Sequence, residues 1–157
     1  MRRSLLRKIE CHHLSPDRCP DHGHGKGKLM PLRDQIRILV VDDMSTSRGL
    51  LTQALDGFGV RQVETAADGQ SALQKIAQWP VHLVISDMNM PGMNGLQLLH
   101  ALRSGAQTRR VGFLLITGKA DKTIIETGKK LGMNNFLPKP FQPDDLRKSI
   151  EAIVGRL

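Results

Sequence analysis

Tyrosine is absent from the chain, tryptophan occurs once and phenylalanine four times. Aromatic stacking can therefore contribute little to whatever core forms. Cysteine is scarce as well: Cys11 and Cys19 lie in the first fifth of the sequence and the remainder has none. No disulfide can staple the main body, a usage that fits a cytoplasmic protein. Long apolar runs are missing. The longest, Ile38–Val41 and Phe113–Ile116, fall far below the roughly 20 residues of a membrane helix. A secretory signal is also missing, because the basic start (Arg2, Arg3, Arg7, Lys8) has no apolar stretch after it.

What remains is enough for one domain: 157 residues, 39% of them hydrophobic. The net charge of +8 is uneven, since residues 1–29 carry seven Lys/Arg against three acids. That leader also holds His12, His13, His22 and His24, with Pro and Gly scattered between them and few apolar groups. It cannot offset its ordering entropy and is expected to be disordered. A start at Met30 would still yield a complete domain over residues 30–157. The Cys11/Cys19 spacing matches no usual zinc pattern.

From Ile36 onward two periods alternate. Apolar, β-branched segments at Ile36–Val41, Val60–Ala66, Val81–Ser86, Val111–Thr117 and Asn135–Leu137 read as strands. Helical spacing places Leu50, Leu51, Ala54, Leu55 and Phe58 on one face of a helix over Met44–Phe58. Further helices follow Asp68-Gly69, run through Leu96–Leu102 and Asp121–Leu131, and close the chain over Pro143–Leu157. Trp79, ahead of Pro80, is expected to cap the far end of the second helix. The pattern is (βα)5, a doubly wound α/β fold with a parallel sheet covered on both faces. The flavodoxin-like strand order 2-1-3-4-5 is a known solution for such a chain.

Acids then fall at strand ends. Asp42 and Asp43 follow the first strand and Asp87 follows the third. In order 2-1-3-4-5 those strands are neighbours at the switch point, where open sheets bind ligands. Three converging carboxylates repel one another and call for a cation, for which Mg2+, a hard ion with oxygen ligands, is suited. Thr117 ends the fourth strand, Gly118 follows it, and Lys139 follows the fifth. A nucleophilic carboxylate, a hydroxyl and an ammonium beside a metal suit phosphoryl transfer through an acyl phosphate.

Five segments, in order, carry a resemblance: Ile38-Leu39-Val40-Val41-Asp42-Asp43, Asp68-Gly69 with Ala72-Leu73, Ser86-Asp87-Met88-Asn89-Met90-Pro91-Gly92-Met93-Asn94-Gly95, Ile116-Thr117-Gly118, and Lys139-Pro140-Phe141. Together they resemble the response-regulator receiver family, and its stand-alone CheY-like chemotaxis members in particular. The resemblance implies Asp87 as phosphoacceptor. It implies Mg2+ held by Asp43, Asp87 and the main-chain carbonyl of Asn89, with Asp42 acting through water. Thr117 and Lys139 would contact the phosphoryl group, and the Lys139–Pro140 peptide would be cis. The implied partners are a histidine kinase of the chemotaxis (CheA-like) kind and the flagellar motor switch protein. A monomer is expected, with no DNA-binding domain and no membrane segment. A phosphate sink, a relay intermediate and a phosphorylation-independent binding module use the same residues.

Some positions depart from the family. Phe136 stands where an aromatic switch residue is often Tyr, Asn94 where Asp is common, and Lys119 brings a cation near the pocket. Pro138 removes a strand N–H and is tolerable only at a sheet edge. The helix over Asp121–Leu131 looks marginal, with β-branched Thr123, Ile124, Ile125 and Thr127 and an internal Gly128. Phosphorylation is expected to draw Thr117 inward, with Phe136 following, and so to re-form the surface of that helix, the fifth strand and the last helix.

Overall fold

The computed structural model describes residues 31–119 and 121–157. The basic leader, with both cysteines and its histidines, lies outside the described residues. A single turn, α1 (Leu32–Gln35), precedes β1 (Arg37–Val41). Then follow α2 (Ser45–Gly57), β2 (Gln62–Ala66), α3 (Gly69–Gln78), β3 (Leu83–Asp87), α4 (Gly95–Ser104), β4 (Gly112–Thr117), α5 (Lys122–Lys130), β5 (Asn135–Pro138) and α6 (Pro143–Val154). The five strands pair in parallel in the order β2-β1-β3-β4-β5. This is the doubly wound arrangement expected from the sequence.

The central strands β1, β3 and β4 are largely apolar because both of their faces are buried, whereas the edge strands β2 and β5 are partly exposed. Successive side chains of a strand point to opposite faces. Leu39 and Val41 enter one core with Val84, Phe113 and Leu115; Ile38 and Val40 enter the other with Ile85, Leu114 and Ile116. The first core is closed by α3 and α4 through Ala72, Ile76, Leu98 and Leu102, and by Ile124 of α5. The second is closed by α2 and α6 through Leu51, Leu55, Leu146 and Ile150. Each fully buried side chain of this size contributes about 1.5–3 kcal/mol relative to exposure.

Helix ends follow local chemistry. Asp68 accepts the Ser71 N–H at 2.7 Å and caps α3. Those backbone donors hold its carboxyl below the usual carboxylate range. Asn94 and Gln97 form a reciprocal capping box on α4. Trp79 stands at the C-terminal cap of α3, as expected. Pro138 lies on β5, an edge strand, where the missing N–H costs no ladder bond. Arg103, on the last turn of α4, donates to the carbonyls of Val111 (2.6 Å) and Gly132 (2.9 Å) and to the Asn134 side chain (3.0 Å). It thereby ties two loops together at the sheet's other end.

Two expectations are corrected. Leu50 is 64% exposed instead of facing the core. The inward stripe of α2 is Leu51 and Leu55, and Leu50 lies one residue, about 100° of helix, away from it. The last helix stops at Val154, where Gly155 adopts φ 98°, so Leu157 packs on the core from outside the helix. Gly128 is buried within α5. A Cβ there would stand 2.9 Å from Met133 Sδ.

Candidate functional site

Every acid of the site is delivered by a strand that ends in the same place. The N–H of Asp42 donates to the Ala66 carbonyl (3.1 Å), so the chain leaves β1 still paired. Its Oδ1 then accepts the Met44 N–H at 2.9 Å, and its own carbonyl accepts from the Arg48 guanidinium at 2.6 Å. Asp42 is thus held on three sides and is buried. Asp43, next in the chain, is exposed. Asp87 closes β3 and is 8% exposed. Carboxylate oxygens of Asp42, Asp43 and Asp87 all lie within 4.8 Å of one another.

Opposite charge reaches this cluster from β5. Lys139 Nζ donates to Asp87 Oδ1 at 3.0 Å. Its backbone N–H donates to the Thr117 carbonyl at 2.8 Å, so Lys139 is anchored one step past the β4–β5 ladder. The Lys139–Pro140 peptide is cis. Burial pushes the Asp42 carboxyl above its ordinary value. The Met44 N–H pulls it down, Asp87 pushes it up, Lys139 lowers it and Asp43 adds a last upward push. One ammonium against three carboxylates leaves the pocket short of positive charge. Hard oxygen donors this close, two buried and one open to solvent, fit a divalent magnesium ion that keeps some waters.

Thr117 closes β4 and is buried, but its hydroxyl is occupied. Oγ1 donates to the Lys119 carbonyl at 2.8 Å and accepts the Lys119 N–H at 3.2 Å. The expected hydroxyl is at the right edge, turned into its own loop. Around Gly118 there is open space, and even a Cβ would meet nothing within 4 Å. Asn89 lies two residues past Asp87 in the exposed loop toward α4. Phe136 is half-buried on β5 and packs against the α3/α4/α5 core, beyond the carboxylates.

The profile of the response regulator receiver domain family matches residues 38–151. The chain belongs to that family. It is 39% identical over 128 residues to a probable chemotaxis protein CheY of Rhizobium etli, covering 82% of this chain and 99% of that one. It is 36% identical over 121 residues to chemotaxis protein CheY1 of Helicobacter pylori, covering 76% and 98%. Among solved structures it is similar to CheY4 of Vibrio cholerae, with a TM-score of 0.72 and 34% identity over 75% of this chain and 98% of that one. A receiver domain from a sensor histidine kinase of Pseudomonas aeruginosa was solved with magnesium coordinated in its active-site cleft. It matches with a TM-score of 0.69 and 26% identity over 76% of this chain and 98% of that one. Receiver domains are signalling modules of two-component systems and not classical enzymes. Among the described residues of this one, no helix is long and apolar enough to cross a membrane.

Two residues of this receiver domain shape the site without having been given a role from the sequence. Arg48 clamps the Asp42 carbonyl, and its only signal was a cation on the first turn after the acid pair. Gly95 opens α4, with its N–H on the Met88 carbonyl at 3.0 Å. A Cβ there would stand 2.6 Å from Leu115 Cδ1 and 2.7 Å from the Asp87 carbonyl. The second contact is with backbone and cannot be relieved by a rotamer change. Gly95→Ala is therefore expected to push α4 away from the Asp87 loop and cost about 2 kcal/mol. Urea unfolding measures the cost, and shifted amide resonances at Asp87–Asn89 locate it. Unchanged values for both would mean that the loop yields freely.

Proposed function

We propose that this receiver domain takes a phosphoryl group on Asp87 from a phosphohistidine of a histidine kinase, in the cytoplasm, and signals in chemotaxis. The observation that carries the proposal is one cluster: three carboxylates within 4.8 Å, one of them held by Lys139 at 3.0 Å. Asp42, Asp43, Asp87 and the main-chain carbonyl of Asn89 are the groups that would hold Mg2+. When bound, the ion supplies the positive charge that the carboxylates and the incoming group lack.

The chain's own residues do the rest. A carboxylate oxygen of Asp87 forms the new O–P bond as the donor's P–N bond breaks. The imidazole leaves with the bonding electron pair and takes a proton from solvent. Lys139, already beside Asp87, stabilises charge on the transferring oxygens. The Thr117 hydroxyl leaves the Lys119 carbonyl and donates to a phosphoryl oxygen. Phe136 then moves into the space vacated on the β4–β5 side, and the α5–β5–α6 surface changes shape. The target read by that surface is proposed to be the flagellar motor switch protein, by similarity to relatives named as chemotaxis proteins.

The test is incubation with a small acyl-phosphate donor and Mg2+, read by intact mass. One added phosphoryl group is expected, and a chelator is expected to prevent it. An unmodified mass with several donors would favour a phosphorylation-independent binding module.

A further inference from the structure

Between Asp87 and Asp121 the chain carries no acid, while Arg103, Arg109, Arg110 and Lys119 fall in that stretch. Past Asp121, α5 ends on Lys129 and Lys130. Arg109, Arg110, Lys129 and Lys130 are exposed, and none of the four makes an ion pair among the described residues. Glu126, the acid one turn back on α5, goes to Lys122 at 4.0 Å. Lysines in the last turn of a helix complement its dipole. That reason does not reach Arg109 and Arg110, which stand in the loop beyond α4.

Arg103 brings the two dibasic pairs together. Its guanidinium donates to the Arg109 carbonyl at 3.0 Å and to the Gly132 carbonyl at 2.9 Å. The Gly132 N–H in turn donates to the Lys129 carbonyl at 3.1 Å. The loop beyond α4 is also held from within. The Arg109 N–H donates to the Gly105 carbonyl at 3.0 Å, and the Thr108 hydroxyl donates to the Leu102 carbonyl at 2.6 Å. Four cations are thus presented on fixed backbone at the end of the sheet where the strands begin. Arg109 and Arg110 precede β4 and Thr117 closes it. The six residues of β4, about 20 Å of strand, separate them from the carboxylate pocket.

We infer that this end of the domain docks an acidic polypeptide segment, whose carboxylates are taken by Arg109, Arg110, Lys129 and Lys130. A guanidinium fork matches a carboxylate with two parallel hydrogen bonds, and a preset backbone lowers the cost of ordering the contact. Two other anionic partners are less well served. Residues 96–111 and 122–135 hold no aromatic side chain on which a nucleic-acid base could stack. The exposed large hydrophobic side chains among the described residues, Met44 and Leu50, belong to α2 and its cap. Nothing apolar therefore accompanies the four cations into a bilayer. Docking here calls on no phosphate at Asp87.

The test is a titration of the full, isotope-enriched chain with a short peptide rich in Asp and Glu, at physiological ionic strength, followed by amide resonances. Saturable shifts are expected at Arg109, Arg110 and residues 129–132, with the Asp42 and Asp87 signals unmoved. Arg110→Glu combined with Lys130→Glu should weaken peptide binding about tenfold or more, because each reversal removes an exposed attraction and adds a repulsion. Lys148→Glu combined with Arg156→Glu, also at exposed positions, changes the net charge by the same amount and should leave the affinity near that of wild type. Equal losses in the two double variants would reduce the effect to net charge and overturn the inference. So would an absence of saturable binding, or shifts spread over the whole surface. A duplex oligonucleotide, or vesicles of phosphatidylglycerol, binding this end more tightly than the peptide would assign it to that partner and overturn the acidic polypeptide.

Discussion

Asp87→Asn is expected to leave the fold intact and to remove phosphoryl uptake entirely. The substitution keeps the volume of a side chain at the end of β3, where the pairing with β4 at Ile116 uses main-chain groups only. It also keeps an oxygen for Lys139 Nζ, whose side chain is 34% exposed and can be hydrated in any case. What disappears is the anionic nucleophile, because a carboxamide oxygen does not form an acyl phosphate. Lys139→Met makes the complementary cut. The nucleophile survives, but three carboxylates within 4.8 Å lose their ammonium. Removing one preorganised charge from a transferring group costs on the order of 100-fold in rate, so uptake should slow without stopping. Time courses of intact mass with an acyl-phosphate donor and Mg2+ read both. A phosphoryl group acquired by Asp87→Asn at the wild-type rate would place the nucleophile on another residue.

The fold was legible because the three central strands, β1, β3 and β4, are buried on both faces. Burial on both faces removes polar residues from Ile38–Val41 and Phe113–Ile116, and such runs are visible without any structure. Less legible were features decided by a single degree of freedom. The helical face of α2 depends on a rotation of one residue, and Leu50 and Leu51 differ by that much. The α1 turn, Leu32–Gln35, is too short to show a period. Val60 and Val81 are buried but stand before β2 and β3 begin, so apolar character ran past the hydrogen-bonded ladder.

The site divides along a similar line. Carboxylates at the ends of β1 and β3 were legible, because a parallel sheet puts those ends together whatever the loops do. Lys139 was legible for the same reason. Groups that meet a main-chain atom after folding were not. Arg48 matters through the Asp42 carbonyl and Gly95 through closeness to the Asp87 carbonyl. Neither pairing leaves a trace in residue spacing. The Thr117 hydroxyl was placed at the correct edge, but its bond to Lys119 depends on a turn that residue types alone do not specify.

Asp42→Asn is expected to stabilise the magnesium-free protein while weakening magnesium binding. Burial raises the Asp42 carboxyl's pKa, and the neighbouring Asp87 and Asp43 add to the rise against the Met44 N–H and Lys139. A carboxyl whose folded pKa exceeds its unfolded value opposes folding once the pH passes the unfolded value. The penalty grows up to the folded pKa, is constant above it and is absent below both. Asn preserves an oxygen for the Met44 N–H and removes the charge. At pH 7 the thermal midpoint should rise by a few degrees, the scale of about 1 kcal/mol in a domain of this size. That gain should vanish on acidification below the ordinary carboxylate range. Magnesium reverses the order. Losing an acid in the role proposed for Asp42, acting on the metal through a bound water, typically costs about 10- to 100-fold in metal affinity. A ligand at 100 times its Kd stabilises by about 2.7 kcal/mol, so wild type should overtake the variant as Mg2+ is added. Thermal melts across a magnesium titration at pH 7 measure both slopes. A wild-type midpoint that does not move with Mg2+ would remove the metal from this pocket, and a variant that tracks it in parallel would remove Asp42 from the groups that hold it.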